Sequence, residues 1–183
     1  MFKYKLILSV FFIFSILFSS AQNHQQSGTV QADEKLIDSQ VNRIVSDWNT
    51  HEFKNMDLYA TEDVDWVNLV GMWWKGRADV VKAHQITFDH FFKGVPFTKR
   101  SSTIRLLTKD AAIVHLLCHV GSLFPPDGID HGNNATPETD NLLTLIFVKK
   151  NGGWLLSSGQ NTLIDERAAK SNPVPGKTSE NIK

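Results

Sequence analysis

The chain has 183 residues and a mass of 20.6 kDa, the size of a single domain. Lysine and arginine together number 19, as do aspartate and glutamate, so the formal net charge is zero and no cationic excess exists to neutralise phosphates; nucleic acid is excluded as an expected partner. Hydrophobic residues at 42% and charged residues at 21% describe a folded globule and not a disordered chain.

The chain opens with Lys3 and Lys5, continues with the uncharged run from Leu6 to Phe18, and then places Ser19 and Ala21 at the minus three and minus one positions of a cleavage site before Gln22. The run of 13 residues falls short of the roughly 20 that span a bilayer. Residues 1–21 therefore read as a cleaved signal peptide, and the mature protein as secreted or periplasmic, with no membrane attachment after cleavage. Cleavage removes Lys3 and Lys5 and leaves 17 basic against 19 acidic residues. Cys118 is the single cysteine, so no intramolecular disulfide forms; flanked by Val114, Leu116 and Val120 on one strand face, it reads as a buried, inert thiol.

Residues 22–32 are polar and without periodicity, a disordered leader. From Asp33 a helical stripe follows, with Ile37, Val41, Ile44 and Trp48 at intervals of four, three and four, which predicts a helix over 33–51. A short helical turn over Met56–Ala60 and a strand over Val64–Leu69 come next. Gly71 to Gly76 reads as a loop, and Arg77 to Lys93 as a long helix carrying Val80, Val81, His84, Phe88, Phe91 and Phe92 on one side, ended by Gly94 and Pro96. Strands are predicted over 97–107, 111–124, 141–150 and 153–163, the last two joined by Asn151-Gly152, a two-residue hairpin signal. Residues 165–183 read as a flexible tail.

This order predicts an α+β domain over 33–164, with helices gathered on one face of a mainly antiparallel sheet. On the third of these strands Ile113, His115, Leu117 and His119 share one face and Val114, Leu116, Cys118 and Val120 the other, both mostly apolar, which leads us to expect a homodimer through the sheet.

Asp65-Trp66-Val67-Asn68, Gly71, Trp74-Lys75-Gly76-Arg77, His84, Trp154 and Gln160-Asn161-Thr162 together resemble the SnoaL-like branch of the nuclear transport factor 2-like superfamily, nearest to its SgcJ/EcaC-type members. The resemblance covers residues 33–164 and implies a cone-shaped, curved, mainly antiparallel sheet wrapped around a long helix with additional N-terminal helices, the cystatin-like fold, with a pocket at the cone's open end. It implies no single activity: isomerases, cyclases, epoxide hydrolases, dehydratases and non-catalytic subunits share this architecture. Two departures stand out. Gln160 occupies the place of a histidine in the closing triplet, and Tyr59 is the one tyrosine of the mature chain, so a tyrosine oxyanion donor is not evident.

His84, in the middle of the apolar stripe of the long helix, is the first candidate proton carrier, with a structural hydrogen-bonded histidine as the alternative. His115 is the second candidate, provided its strand face is the concave one. His115 and His119 lie about 13 Å apart on one strand and cannot share a metal, so no metal site is expected. Asn68 and Asn161 are candidate orienting amides, and Trp66 and Trp74 candidate walls for an apolar ligand. Asp63 and Asp65 form either a base of raised pKa or a solvated strand edge, and Arg77, at a helix N-terminus where the dipole disfavours it, is expected to pair with one of them. Asp127, Asp130 and His131 lack the spacing of a calcium loop, while Asn134-Ala135-Thr136 is a glycosylation sequon.

No phosphate loop, nucleophile elbow, paired CxxC or zinc-peptidase motif is present. The expected function is binding of a small apolar or amphipathic molecule in the cone, with cofactor-independent isomerisation, cyclisation, dehydration or hydrolysis as the candidate chemistry and no cofactor. The alternative is a non-catalytic ligand-binding or dimeric interaction module.

Overall fold

The computed structural model describes residues 28–174. The expected signal peptide over 1–21, most of the leader and the tail from 175 onward lie outside them. The chain divides into two units, Met1–Lys35 and Leu36–Lys183. In the first, residues 28–35 are helical, which corrects the expected leader over 28–32: past Gly28 nothing in Thr29-Val30-Gln31-Ala32 breaks a helix, so low periodicity alone did not prevent one.

The second unit opens with helix α1 (residues 36–50), whose Ile37, Val41, Ile44 and Trp48 are all buried, as their spacing predicts. It ends at His51, in the left-handed region at φ 55°. A 3-10 turn, Met56–Leu58, leads to β1 (Ala60–Val67), which begins and ends earlier than expected. The glycine-bounded segment is not a loop: Trp73–Lys75 forms β2, pairing antiparallel with β1 through Val67↔Trp73 and Asp65↔Lys75. Three residues are too few to show an alternation in sequence, which hid this strand.

Helix α2 (Arg77–Asp89) buries Val80, His84 and Phe88. It stops short of Lys93 because the chain tightens into turns closed by Lys93 N–H on the His90 carbonyl at 3.2 Å, ahead of Gly94 at φ 73°. Strands β3 (Phe97–Thr108), β4 (Ala111–Val120), β5 (Thr139–Lys150) and β6 (Gly153–Leu163) follow, and the sheet has six strands in the order β2-β1-β6-β5-β4-β3. All neighbours are antiparallel except β1 and β6, which are parallel. Register shifts in β1, β3 and β6 mark bulges, the local device by which strands bend and a sheet curves. At the β5–β6 turn Asn151 (φ 52°) and Gly152 (φ 81°) both adopt the left-handed conformation of a two-residue hairpin, as expected.

One face of the sheet, carrying Ala112, Val114, Leu116, Cys118, Leu143, Leu145, Phe147 and Leu156, is fully buried with the apolar stripes of α1 and α2. Each such large side chain contributes about 1.5–3 kcal/mol. Polar ties fix α1 to the sheet: Asn49 exchanges two hydrogen bonds with the backbone of Phe97 at 2.8 and 3.0 Å, and Asp38 accepts from Lys99 Nζ and from Ser102 Oγ at 2.7 Å. The tail is partly structured, since Asp165 caps a short helix, α3 (Glu166–Ala169).

Candidate functional site

The buried sheet face and the two helices enclose a cavity of about 110 Å³. Its floor is aromatic: Trp48 from α1, Trp66 from β1, Trp74 from β2, Phe88 from α2, then Phe92 and Phe97. His84 enters from α2 in the midst of these rings. Trp66 and Trp74 meet the imidazole edge-on at 5.0 and 5.3 Å between centroids, and Phe53 lies tilted at 5.3 Å.

The histidine's protonation is fixed by its surroundings. Nδ1 lies 2.9 Å from the Val80 carbonyl one helical turn earlier. A carbonyl only accepts, so Nδ1 carries the hydrogen and Nε2 keeps its lone pair. Burial lowers the pKa to about 4, outweighing the Val80 hydrogen bond that favours the charged form. At neutral pH His84 is an uncharged acceptor, and no described residue donates to its Nε2.

The second polar group sits across β5 and β6. Asn141, 4% exposed, accepts from Thr139 Oγ1 at 3.1 Å and donates from Nδ2 to Asn161 Oδ1 at 3.1 Å. The oxygens of both amides are thereby engaged, while Asn161 Nδ2 donates to no described residue. The pair therefore offers a ligand one unused amide N–H donor, Asn161 Nδ2, beside oxygens that each already accept one hydrogen bond. None of the residues lining the cavity is lysine, arginine, aspartate or glutamate.

Of the residues singled out in sequence, His84, Asn68, Trp66, Trp74 and Asn161 all line this one cavity. His115 does not, and its candidacy is corrected: β4 turns Val114, Leu116 and Cys118 inward, so the alternation places His115 on the outer face beside Thr103 and Thr144. His119, on that same face, lies against Asp140 at 2.8 Å and Glu138 at 3.5 Å. Asn68 is at the rim with a largely structural task, its Oδ1 accepting from Val70 N–H at 3.0 Å and Met72 N–H at 2.9 Å to shape the β1–β2 turn. Gln160 is exposed, so its departure from the histidine of the resembling family does not alter the cavity wall. Tyr59 is buried in the core, hydrogen-bonded to Asp47, and does not line the cavity.

The acidic pair on β1 is a solvated edge: Asp63 is exposed and lies 3.8 Å from Lys150 Nζ, and Asp65 accepts from the Trp73 indole at 3.0 Å. Arg77 pairs with neither acid but donates to the Ala60 carbonyl at 3.1 Å. In the 125–136 loop, Asn134 Nδ2 donates to the carbonyls of Pro125 and Ile129, both at 2.8 Å, so the sequon amide is committed to holding the loop.

The sequence reading missed Asn141, Thr139 and Cys118 as cavity residues. The signal was present for Asn141, which alternates with Leu143, Leu145 and Phe147 and so shares their inward face. Cys118 was read correctly as buried; burial and the Asp140 charge push its thiol up to about 12.

No protein-family model and no curated protein sequence matches the chain. Solved structures do. An uncharacterised protein with a cystatin-like fold from Caulobacter vibrioides is 26% identical, with a TM-score of 0.71 over 78% of this chain and 96% of that one. An NTF2-like superfamily protein from Salmonella enterica is 12% identical, with a TM-score of 0.63 over 81% and 99%. A type 2 hexachlorocyclohexane dehydrochlorinase is 13% identical, with a TM-score of 0.60 over 75% and 88%. With its helices packed on one face of a curved six-stranded sheet, the chain has the cystatin-like fold of these structures, the fold that its sequence resemblance implies.

Proposed function

We propose that the protein binds a small, neutral, largely apolar molecule in the cavity around His84. One observation carries this reading: an aromatic cavity without a formally charged lining residue holds an unpaired acceptor, His84 Nε2, together with an amide donor, Asn161 Nδ2, that no described residue uses. Burying a charge there would go uncompensated. A volume of about 110 Å³ is on the scale of one ring; about 150 Å³ takes benzene in an apolar protein cavity.

As catalysis, this arrangement suits cofactor-independent proton abstraction from a neutral substrate, as in isomerisation or elimination. A base with a pKa near 4 holds a proton poorly in the empty cavity. His84 becomes a proton carrier when negative charge develops on the substrate beside it and raises its basicity. The likeness in fold to a hexachlorocyclohexane dehydrochlorinase supports elimination as candidate chemistry. A non-catalytic carrier is the second reading, favoured by the way Thr139, Asn141 and Asn161 satisfy one another.

The test is native mass spectrometry of protein purified from its own host, followed by denaturing extraction. A neutral apolar molecule carried through purification and lost in His84→Ala supports the reading; a charged, strongly polar passenger contradicts it.

We further propose that the mature chain is exported and begins at Gln22, supported by the basic, apolar and small-residue order of residues 1–21. We also propose a homodimer through the outer face of β4 and β5, where Ile113 pairs with Ile146 and Leu117 with Leu142 and none of the four is fully buried by the described residues.

A further inference from the structure

The unused polar groups of the cavity lie at two depths. At the inner level His84, 6% exposed, stands beside Trp66 with 5.0 Å between ring centroids, and its Nε2 is an acceptor that no described residue fills. At the outer level two lining amides stand on neighbouring strands. β1 and β6 run parallel in the register Trp66↔Gly159 and Val67↔Gln160, so Asn68 and Asn161 come side by side one residue further on, about 5 Å apart across the strands and about 7 Å along them from the level of Trp66. Leu69, 41% exposed, lines the cavity next to them, which makes this its solvent-facing end. Asn68 Oδ1 is taken up by Val70 and Met72 N–H; a backbone N–H only donates, so the amide is fixed with its Nδ2 left over. Asn161 Oδ1 accepts from Asn141 Nδ2, and neither Asn68 Nδ2 nor Asn161 Nδ2 donates to a described residue.

Given the cavity reading above, on which this rests, we propose that the ligand is a neutral, single-ring hydroxycarbonyl compound bound in one direction: its hydroxyl enters first and donates to His84 Nε2, and its carbonyl stays at the outer end and accepts from the Nδ2 groups of Asn68 and Asn161. Filling the cavity strips water from the inner acceptor and from the outer donors, and each group left without a partner weakens binding. A hydrocarbon incurs that loss at both ends, a simple alcohol at the outer end and a simple ketone at the inner end. A molecule with a hydroxyl and a carbonyl on opposite sides of one ring incurs neither. Its ring lies among Trp66, Trp74 and Phe88, and the depth between the two levels, two residues of strand, suits one para-substituted ring.

The experiment is calorimetry on the full mature chain at pH 6, where phenols are un-ionised and His84, with a pKa of about 4, is neutral. It compares 4-hydroxyacetophenone with acetophenone, which lacks the hydroxyl, and with 4-ethylphenol, which lacks the carbonyl. 4-Hydroxyacetophenone is expected to bind about fivefold tighter than either, the scale of one neutral hydrogen bond. In His84→Phe the advantage over acetophenone is lost and the advantage over 4-ethylphenol stays. In Asn161→Asp, which keeps an acceptor for Asn141 and deletes the donor, the advantage over 4-ethylphenol shrinks and that over acetophenone stays. Equal binding of the three probes to the wild-type chain overturns this inference and leaves the cavity reading standing. So does an advantage over acetophenone that survives in His84→Phe, or an advantage over 4-ethylphenol that Asn161→Asp leaves intact. Failure of all three probes to bind overturns the cavity reading and this inference with it.

Discussion

His84 donates its Nδ1 hydrogen to the carbonyl of Val80, one turn earlier in the same helix, at 2.9 Å. That bond fixes the tautomer, spends the donor within the helix, and makes Nε2 the only reactive position of the ring.

Burial of this neutral imidazole links stability to pH. Its folded pKa of about 4 lies below the unfolded value of 6.5, so between these values the unfolded chain binds more protons. The stabilising contribution is complete above pH 6.5 and is lost as pH falls toward 4, amounting to about 3 kcal/mol. Urea unfolding of the wild type and of His84→Gln at pH 7, 5 and 4 should show the gap between them shrinking or reversing as pH falls. A gap independent of pH would remove His84 as the titrating group.

The wall opposite depends on an absent side chain. Gly159 of β6 faces Trp66, and a Cβ at that position would overlap the indole's six-membered ring. Gly159→Ala is expected to cost about 1–3 kcal/mol by overpacking. It should also push Trp66 into the cavity, weakening ligand binding more than Asn68→Ala does. Thermal unfolding and calorimetry with 4-phenylbutan-1-ol read the two effects separately.

Cys118 borders the cavity with its thiol pushed up to about 12, chiefly by burial. At pH 8 iodoacetamide should leave the folded protein unmodified and alkylate one thiol per chain in urea, as read by intact mass. Rapid alkylation of the folded chain would mean that the cavity is open to solvent at Cys118.

The elements that could be read from the sequence are those long enough to display a period. Helix α1 announced itself through four apolar positions, all buried, and the β5–β6 hairpin through Asn151-Gly152. The strand β2 did not, because Trp73, Trp74 and Lys75 span too little chain to alternate. The site divides in the same way. His84 was legible because a titratable residue interrupts an apolar stripe. The misplaced residue was His115: alternation split β4 into two faces that are both mostly apolar, and only the packing of the helices decides which one is inward. Arg77 went astray because its partner is a backbone carbonyl, to which sequence gives no address.

The outer face of β4 and β5 supplies another prediction. Leu117→Glu, on the face away from the cavity, should convert a dimer into a monomer by light scattering while leaving the thermal midpoint of the monomer nearly unchanged. A wild-type chain that is monomeric at all concentrations would contradict the proposed dimer without touching the cavity.

The most direct measurement of the central claim is the nitrogen NMR spectrum of the His84 imidazole during titration with 4-phenylbutan-1-ol at pH 7. A neutral ring protonated on Nδ1 is expected in the empty protein, with a saturable shift of Nε2 as the bound hydroxyl or ring displaces whatever solvent reaches it. An imidazolium at neutral pH, or an Nε2 resonance that stays fixed while the alcohol demonstrably binds, would contradict it.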